Sequence, residues 1–294
     1  MIKTAVIGAS GYIGSHLFRK YRTKFPDCVG TNFLQMKEGL IPFDLREPKV
    51  EDLKLEETQH KAVIISSAKS NIAWCEANPK ESYQLNVRGT LQLVKQLEKL
   101  SLHILFLSSD YVFDGQTGSY SDQAPINPIT EYGRQKAEVE RELPNLTNKY
   151  TIIRLSKIYG TKWKDNTLID AFASNLLKGE KIMVATDQFF SPTHINDIAS
   201  MIFYTQEQGL KGLLNVCKSN PYSRYQIALK LVEELKVSSS LLEGVPLHSI
   251  SGMEICPLNT SIVCSPCLQQ MQPSLLSIDK AIKEIASNWN HYQL

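Results

Sequence analysis

Net charge, long hydrophobic runs and paired cysteines are all scarce in this sequence. The 32 basic and 30 acidic residues leave a formal charge of only +2, which gives no electrostatic reason to expect nucleic acid or an anionic membrane as a partner. No apolar run approaches the ~20 residues that a membrane-spanning helix needs. The N-terminus passes from one lysine straight into a strand-like run, without the regions of a signal peptide. We therefore expect a cytoplasmic protein that binds neither membrane nor nucleic acid.

The cysteines are too scattered to form a disulfide framework. They are Cys28, Cys75, Cys217, Cys256, Cys264 and Cys267. Only the last two are close, in CSPC (264–267), a spacing that metal and redox sites use, and His248 lies upstream. A structural zinc needs four converging ligands, and the sequence has no second CxxC pair. We expect free thiols in a surface turn formed by Pro266, a reducing compartment and no bound metal.

Strand-like and helical patterns alternate along the first half of the chain. The strand-like runs are TAVIG (4–8), KAVIISSA (61–68), HILFLSSD (103–110) and YTIIRLSKIYG (150–160). Between them lie stretches with apolar residues at helical spacing, such as Ile13, Leu17, Phe18 and Tyr21. This βαβ series predicts an α/β fold, with a doubly wound parallel sheet and a ligand at the carboxyl ends of its strands.

The second half of the chain has a looser pattern. Helices are predicted in LIDAFASNLLKG, SPTHINDIASMIFY and SRYQIALKLVEEL, the last begun by a capping box of Ser223 and Gln226. Strands are predicted in KIMVAT and LLNVCKS, whereas residues 236–276 lack a clear period and are predicted to be irregular loops. The final helix, in SLLSIDKAIKEI, is predicted to turn three residues inward: Ile278, Ile282 and Ile285.

The segment GASGYIG follows the first predicted strand and opens the first predicted helix. Gly8 would make the tight turn, Gly11 would let the backbone approach a pyrophosphate, and Gly14 would let helix and strand pack closely. The start of the helix adds N–H groups and the positive end of its dipole. The segment therefore predicts a dinucleotide-binding site.

These patterns divide the chain into two predicted domains. Residues 1–158 are predicted to form a Rossmann dinucleotide-binding domain. Residues 159–294 are predicted to form a smaller mixed α/β substrate-binding lobe, with residues 182–205 partly returning to the first domain.

An acidic residue is missing where the second predicted strand ends. About 20 residues after the first glycine, an Asp or Glu would hold the adenosine ribose of NAD. Here the segment reads CVGTNF, with Thr31 and Asn32 at that place. Small neutral donors leave room for a 2′-phosphate, so NADP(H) is the preferred cofactor and NAD(H) the alternative, although no arginine is adjacent in the sequence.

Tyr132 and Lys136 in EYGRQK lie four residues apart in a predicted helix, and thus on the same face. The lysine ammonium is expected to favour the tyrosinate and to lower the pKa of the Tyr132 phenol from its usual ~10. A tyrosine in that state exchanges a proton with a substrate oxygen. The pair follows SSDYVFDG (108–115), in which Ser109 stands 23 residues before Tyr132.

Five segments in order resemble the extended short-chain dehydrogenases/reductases: GASGYIG, SSDYVFDG, NPITEYGRQKAEVE, RLSKIYG and DQFFSPTHINDIA. Within that superfamily the chain is most similar to the dTDP-4-dehydrorhamnose reductases, which complete dTDP-L-rhamnose synthesis for polysaccharides. The resemblance spans residues 1–235, and beyond it CPLNTSI (256–262) is similar to the RPxxxxL segment of those reductases. It implies a nucleotide-sugar substrate and allows a homodimer.

The resemblance implies a catalytic role for three residues. Ser109 matches the serine or threonine whose hydroxyl hydrogen-bonds the substrate carbonyl. Tyr132 would protonate that oxygen as hydride arrives, and Lys136 would tune Tyr132 and bind the nicotinamide ribose. Ser108 is expected to be a buried hydroxyl at the end of the strand.

Binding residues follow from the glycine segment and from the resemblance. Those toward the cofactor are Gly8, Ser10, Gly11, Tyr12, Ile13, Gly14, Thr31, Asn32, Asp44, Leu45, Ser67, Ala68, Lys69, Asn86, Tyr132 and Lys136. Those toward the substrate are Ser109, Asp110, Tyr111, Gln188, Ser191, Pro192 and Thr193. Asp44 matches an acid near the adenine ring, Asn86 matches an asparagine that buttresses the active site, and residues 188–193 match a loop that closes on the nucleotide sugar.

Three positions depart from the family pattern. Ala73 stands where these reductases usually carry an Asp, and Cys256 replaces the arginine of RPxxxxL. His16 stands where some relatives carry an acid used in metal-bridged dimers, so a magnesium-bridged dimer is not expected. The reaction type is therefore better specified than the sugar.

Other functions on the same fold stay open. A 4,6-dehydratase would follow its catalytic Thr with an Asp-Glu pair, whereas Tyr111 follows Asp110 here, which disfavours that activity. A nucleotide-sugar epimerase or the reductase of another 4-keto sugar fits the same motifs, as does a non-catalytic regulator like the methionine adenosyltransferase β subunit. The function we infer is NAD(P)H-dependent reduction of a nucleotide-linked 4-keto-6-deoxy sugar, with dTDP-4-dehydro-L-rhamnose as the first candidate.

Overall fold

A computed structural model of the chain describes residues 1–33 and 37–289, which form two compact units. The first unit comprises Met1–Val112, Ile126–Leu155 and Ala199–Leu214. The second unit comprises Phe113–Pro125, Ser156–Ile198 and the chain from Asn215 onward. The functional division into residues 1–158 and 159–294 stays a prediction.

The strands of the described chain are short. In chain order they are β1 (Thr4–Ile7), β2 (Thr31–Asn32), β3 (Ile41–Pro42), β4 (Ala62–Ile65), β5 (His103–Ser109), β6 (Tyr150–Leu155), β7 (Ile158–Tyr159), β8 (Ile182–Ala185), β9 (Phe189–Phe190), β10 (Thr193–His194), β11 (Gly212–Val216), β12 (Tyr222–Ser223) and β13 (Leu242–Val245). Each of the longest strands, β5 and β6, corresponds to a strand-like run predicted from the sequence.

The helices alternate with these strands. In chain order the α-helices are α1 (Tyr12–Lys24), α2 (Ile72–Ala77), α3 (Pro79–Tyr83), α4 (Thr90–Lys99), α5 (Glu131–Leu146), α6 (Leu168–Leu177), α7 (Ile195–Glu207), α8 (Arg224–Leu235) and α9 (Ile278–Trp289). A π-helical segment, Gln84–Gly89, joins α3 to α4. Short 3₁₀ helices cover Val50–Leu53, Asp110–Val112, Ser239–Leu241, Leu247–Ser249 and Pro266–Ser274. Among the helices of the described ranges, none has the combined length and apolar character that crossing a bilayer requires.

The first unit is built on a sheet with the strand order β1-β4-β5-β6-β11. Strands β1, β4, β5 and β6 run parallel, in a register that places Ile7 beside Ile65 and Ser109 beside Leu155. Helices connect these strands, so the carboxyl ends of β1, β4 and β5 lie at one edge of the sheet. The predicted doubly wound parallel sheet of the Rossmann type is confirmed.

The core of the first unit consists of aliphatic side chains between the sheet and its helices. Ile7, Val63 and Ile104 from three strands belong to one buried cluster with Leu93 and Leu97 of α4. All five are fully buried. Burial of such a side chain contributes about 1.5–3 kcal/mol, so this cluster fixes the sheet that carries the site.

The second unit combines pairs of short strands with α6, α8 and α9. Strands β8 and β13 pair in parallel, as do β7 and β10, whereas β9 and β12 are antiparallel. The predicted capping box of Ser223 and Gln226 begins α8, with both hydrogen bonds present. The predicted inward face of α9 is also confirmed, because Ile278, Ile282 and Ile285 are buried.

The prediction that residues 236–276 form irregular loops is partly wrong. Strand β13 lies within this range and pairs with β8, from Leu242 opposite Ile182 to Val245 opposite Ala185. Its sequence, LEGV, has no alternation of apolar and polar residues. The partner strand is distant in the sequence, so the local pattern contains no signal for this pairing.

The prediction of a surface turn at CSPC is also partly wrong. Cys264 is buried and Cys267 is exposed, and Pro266 begins a 3₁₀ helix rather than a turn. None of the six cysteines, all within the described residues, forms a disulfide. Hydrogen bonds from the Cys217 side chain and backbone lower the pKa of the Cys264 thiol. Within residues 1–33 and 37–289, no three His, Cys, Asp or Glu side chains are grouped as a metal site.

Candidate functional site

The turn between β1 and α1 requires glycine at two of its three glycine positions. Gly8 has φ +89°, and a Cβ there would lie 2.8 Å from the backbone N of Ser67. A Cβ on Gly14 would lie only 2.2 Å from the carbonyl oxygen of Gly8. A Cβ on Gly11 would have as its nearest neighbour the same oxygen at 3.4 Å, so protein atoms leave space beside Gly11. Tight packing against protein atoms thus explains why positions 8 and 14 are glycine. At position 11, a bound group that approaches from outside the protein would explain the glycine.

Helix α1 begins in a way that suits an anion. Its N-cap, Gly11, provides no side-chain cap, and the first turn contains no acidic residue. The N-terminal N–H groups and the positive end of the helix dipole favour a phosphate at such a place. Gly11, Tyr12, Ile13 and Gly14 therefore occupy the expected position for pyrophosphate contacts, although the pocket described next is lined by other residues.

A cavity of about 290 Å³ lies at the carboxyl ends of β1, β2 and β4. It is lined by Gly8, Ser10, Thr31, Asn32, Phe33, Phe43, Leu45, Ser67, Ala68, Lys69 and Leu85. Eight of these were predicted as cofactor residues. Phe33, Phe43 and Leu85 were not predicted. Each of them is adjacent in the sequence to a residue that was predicted, Asn32, Asp44 or Asn86.

The end of β2 provides neutral groups to this cavity. The Thr31 hydroxyl accepts a hydrogen bond from the Gly8 N–H at 3.0 Å, which ties β2 to the glycine turn. The cavity's lining residues, all within the described chain, include a lysine and no carboxylate. Asp44 does not line the cavity but pairs with Arg46 at 2.6 Å, and this pairing lowers the pKa of the Asp44 carboxyl. The Arg46 guanidinium lies 4.9 Å from the ring centre of Phe33, a residue of the cavity wall. The fold thus places an arginine next to this wall, although no arginine is adjacent to Thr31 and Asn32 in the sequence.

Asn86 holds the turn after β4 from behind. Its Oδ1 accepts from the Lys69 N–H at 2.8 Å, and its Nδ2 donates to the Lys69 carbonyl at 2.9 Å and to Gln135 Oε1 at 2.7 Å. Asn86 is buried within the π-helical segment, and it does not line the cavity. Since Gln135 belongs to α5, this amide joins the cavity wall to the helix that carries Tyr132 and Lys136.

Ser109 and Tyr132 meet at the carboxyl end of β5. Ser109 ends the strand, and its hydroxyl lies near enough to the Tyr132 phenol to lower the pKa of that phenol. The Ser109 hydroxyl also donates to Asp110 Oδ1 at 3.1 Å and accepts from the Tyr111 N–H at 3.2 Å. A Cβ on Gly133 would lie 2.1 Å from the Tyr111 carbonyl oxygen, so α5 begins in close contact with this loop.

Lys136 lies one turn after Tyr132 and points to the same strand. Its Nζ donates to the Leu107 carbonyl at 2.8 Å and lies 4.5 Å from the ring centre of Phe106. The distance from Nζ to the ring centre of Tyr132 is 5.8 Å. Burial lowers the pKa of Lys136 to about 8, and the Glu140 carboxylate opposes this shift.

The prediction that Lys136 lowers the pKa of Tyr132 is wrong for this structure. Burial raises the pKa of the phenol, the Asp110 carboxylate and the Cys75 thiol raise it further, and only the Ser109 hydroxyl lowers it. The physical reason is that the phenol loses its hydration, while the lysine ammonium is directed at the Leu107 carbonyl. Tyr132 is therefore held in its protonated form.

Three further polar side chains lie behind this group. The Ser108 hydroxyl donates to Glu140 Oε1 at 2.5 Å, and Glu140 forms a buried ion pair with Arg154 at 2.7 Å. The predicted burial of Ser108 is confirmed. Glu140 and Arg154 were not predicted as site residues. A usable signal was present for Glu140, which follows Lys136 at the i+4 spacing of one helix face.

The loop at residues 188–193 in the second unit uses its polar side chains internally. The Ser191 hydroxyl donates to the Ile262 carbonyl at 2.8 Å and accepts from the Ile262 N–H at 3.1 Å. Thr193 Oγ1 donates to the Ser191 carbonyl at 3.1 Å, and Gln188 donates to the Pro257 carbonyl at 3.2 Å. All three side chains are buried, and those of Gln188 and Ser191 hold the loop to the segment 257–262. Their contact with a substrate, and that of Pro192, stays a prediction.

Comparisons with known proteins agree with this architecture. The family model of the RmlD substrate binding domain matches residues 2–290. The dTDP-4-dehydrorhamnose reductase of Aggregatibacter actinomycetemcomitans is 30% identical over 235 residues, which covers 77% of each chain. The methionine adenosyltransferase 2 subunit beta of Rattus norvegicus is 21% identical over 270 residues, which covers 90% of this chain and 80% of that protein.

A solved structure shares the fold over nearly the whole length. The dTDP-4-dehydrorhamnose reductase from Bacillus anthracis, crystallised in complex with NADP, has a TM-score of 0.80 at 20% identity and covers 97% of this chain and 99% of its own. At that identity the likeness concerns the fold. The resemblance to reductases of this kind that the sequence motifs indicated is confirmed by the family match and by the bacterial relative.

Proposed function

The chain belongs to the RmlD substrate binding domain family and is an oxidoreductase of the dTDP-4-dehydrorhamnose reductase-like kind, and from this premise we propose that it uses NADPH to reduce the C4 ketone of a nucleotide-linked 4-keto-6-deoxy sugar. The first candidate substrate is dTDP-4-dehydro-L-rhamnose, with dTDP-L-rhamnose as product. The observation that carries the proposal is the meeting of the Ser109 and Tyr132 hydroxyls at the end of β5, in the unit that also contains the glycine turn.

The residues present fit a nicotinamide dinucleotide. A Cβ on Gly11 would meet no protein atom closer than 3.4 Å, so the turn leaves space for a group from outside, and α1 begins there without a side-chain cap or an acidic residue. The pyrophosphate would be held by this turn, and the adenosine by the cavity lined by Thr31, Asn32 and Phe33. The neutral end of β2, with Arg46 against Phe33, supports NADPH over NADH. When bound, the dinucleotide supplies the hydride.

Ser109 and Tyr132 would act together on the ketone oxygen. The Ser109 hydroxyl would donate a hydrogen bond to that oxygen and so orient the carbonyl. Tyr132 would donate its proton to the same oxygen, and its raised pKa keeps that proton in place at neutral pH. The buried Lys136 ammonium would stabilise the negative charge that develops as the phenol loses its proton.

The test is the loss of NADPH absorbance with dTDP-4-dehydro-L-rhamnose. The same assay with NADH measures the cofactor preference. Tyr132→Phe should lower turnover by roughly 10²–10⁴-fold, whereas Tyr150→Phe, at a partly buried tyrosine packed against the core of the same unit, should retain it. Turnover of an unrelated 4-keto sugar but not of this one would reassign the substrate within the same reaction class.

A second candidate function is a regulatory subunit. The alignment with methionine adenosyltransferase 2 subunit beta, which covers 90% of this chain, favours it. A regulator would bind NADPH and leave every keto sugar unchanged. Epimerase activity would appear instead as conversion of a nucleotide sugar without net oxidation of NADPH.

A further inference from the structure

A buried ionic cluster lies behind Tyr132 and Lys136, and the chemistry above does not use it. The Glu140 carboxylate accepts hydrogen bonds from Arg154, with Nε at 3.0 Å and Nη2 at 2.7 Å, and from the Ser108 hydroxyl at 2.5 Å. The side chains of Glu140 and Arg154 are each only 3% exposed. Burying two full charges is costly even when they pair, so the cluster adds little to stability by itself.

The cluster is coupled to Lys136 through helix geometry. Glu140 follows Lys136 by four residues on α5, which places the two side chains on one face of the helix. Arg154 and Lys136 are both buried cations: Glu140 forms an ion pair with Arg154, and its charge opposes the lowering of the Lys136 pKa by burial. Without that carboxylate, Lys136 would remain buried beside the Phe106 ring without the charge that favours its protonated form.

The cluster is also joined to the end of β5. Ser108 and Ser109 are consecutive residues of this strand: the Ser108 hydroxyl donates to Glu140 of α5, and the Ser109 hydroxyl lies near Tyr132 of the same helix. In the sheet register, Ser108 stands beside Arg154 on β6. The strand that presents Ser109 is therefore fixed to the same carboxylate that faces Lys136.

We propose that Glu140 is a positioning residue: held by Arg154 and Ser108, its carboxylate lies one helix turn after Lys136 and fixes the Lys136 ammonium against the end of β5. This inference rests on the proposed reductase function, in which Lys136 assists Tyr132. The other ionisable groups that surround the Tyr132–Lys136 pair are Asp110 after β5 and Cys75 from α2.

The test is the pH profile of kcat/KM for NADPH-dependent reduction in Glu140→Gln. We expect the basic limb, which reports loss of the Lys136 proton, to move to lower pH by about one unit, because the ammonium loses its facing charge. At pH values above that limb, kcat/KM of Glu140→Gln should be about tenfold lower than that of the wild type. At pH values below the limb, it should be lower by less than about threefold. An equal loss at every pH, or an unchanged profile, would overturn the proposal.

Glu138→Gln is the matched control. Glu138 is on the same helix but two residues from Lys136, and it accepts the Tyr83 hydroxyl at 2.5 Å. Removal of this carboxylate should leave the basic limb in place. A shift as large as that of Glu140→Gln would show a general effect of charge on α5, and it would contradict the specific role of Glu140.

Glu140→Gln leaves Arg154 buried without its carboxylate, which can prevent folding. The double variant Glu140→Gln/Arg154→Gln removes both charges and keeps hydrogen-bonding groups. The same shift of the basic limb is expected in it, since Lys136 still lacks a facing carboxylate. A wild-type profile in the double variant would show that Glu140 serves only to neutralise Arg154, and would overturn the proposal.

Failure of this inference can be separated from failure of the proposed function. If the wild-type protein reduces no keto sugar, the pH dependence of NADPH binding, followed by the fluorescence of the bound dinucleotide, replaces the rate measurement. The same shift is expected in Glu140→Gln and not in Glu138→Gln. Absence of turnover overturns the reductase proposal alone, whereas absence of the shift overturns the role of Glu140.

Discussion

The end of β5 in the first unit and the loop 188–193 in the second unit both carry buried polar side chains, and they use them differently. At the end of β5 the Ser109 hydroxyl meets another reactive side chain, Tyr132. In the loop, the Ser191 hydroxyl bonds to both backbone groups of Ile262. Similarity to family motifs indicated both segments equally. Nearness to Tyr132 distinguishes the Ser109 hydroxyl, whose own hydrogen bonds are to the adjacent Asp110 and Tyr111, from the Ser191 hydroxyl, which holds a loop closed.

The largest expected effect concerns Tyr132. Tyr132→Phe removes the proton donor without removing the ring, so kcat should fall by roughly 10²–10⁴-fold, the usual contribution of general acid catalysis. The melting temperature should change little, because the phenol has no structural partner comparable to that of Ser191. Turnover within about threefold of the wild-type value would show that Tyr132 is not the proton donor. The end of β5 would then not differ from the loop 188–193 by a catalytic role.

Charge burial gives the next largest effect. The folded-state pKa of Lys136 is about 8, whereas the unfolded value is 10.5, so the unfolded chain binds more protons between these values. The unfolding free energy of the wild type, relative to that of Lys136→Met, should therefore rise with pH, by up to about 3 kcal/mol between about pH 8 and about pH 10.5. Denaturant titrations of both proteins at pH 7.5 and pH 10 measure this difference, and a constant difference would contradict it.

Gly11 tests whether the open space beside the glycine turn is a binding space. In Gly11→Ala the new Cβ meets no protein atom closer than 3.4 Å, and the backbone φ of −74° is ordinary, so the fold should be retained. The methyl group would stand where the pyrophosphate is expected, and the Kd for NADPH should rise about 10–100-fold. Gly14→Ala is the contrasting variant, since its Cβ would lie 2.2 Å from a carbonyl oxygen and should destabilise the protein itself.

If Gly11→Ala binds NADPH as tightly as the wild type, the pyrophosphate does not approach this turn. Binding is measured by titration of the dinucleotide fluorescence, and folding by the melting temperature of the free protein.

The smallest expected effects are those of removing the two serine hydroxyls, and they test the difference between the end of β5 and the loop 188–193 most directly. Ser191→Ala leaves the buried N–H of Ile262 without its side-chain acceptor and should cost about 1–2 kcal/mol of unfolding free energy, with kcat retained. Ser109→Ala should lower kcat and cost less stability than Ser191→Ala, because the Tyr111 N–H that loses its acceptor is only partly buried. Parallel losses of stability in both variants would mean that the two serines have the same structural role.

Much of the first unit could be predicted because its signals are local. The runs that became β1, β4, β5 and β6 are continuous and apolar, and the glycine spacing dictated the turn before α1. The predicted cofactor residues that line one cavity are Gly8 and Ser10 of the glycine turn, Thr31 and Asn32 of β2, Leu45, and Ser67, Ala68 and Lys69 after β4. Each of these predictions needed only neighbours in the sequence.

What sequence analysis missed depends on contacts between distant segments. Arg154 pairs with Glu140 only because β6 lies beside β5 in the sheet. The direction of the Tyr132 pKa depends on burial and on Asp110, whereas the spacing to Lys136 suggested the opposite. Strand β13 exists because β8 provides its partner.

The π-helical segment Gln84–Gly89 makes this part of the chain intolerant of changes in length. Such a turn holds an extra residue relative to an α-helix, and deletion of one residue would restore α-helical winding. Because each residue of an α-helix turns by about 100°, Asn86 would then point away from Lys69 and Gln135. Gly89 adds a second constraint, since a Cβ there would lie 1.9 Å from the Leu45 carbonyl oxygen. Natural or engineered insertions and deletions should therefore be found in loops, such as that at Gly179, where a Cβ meets nothing, and not between α3 and α4.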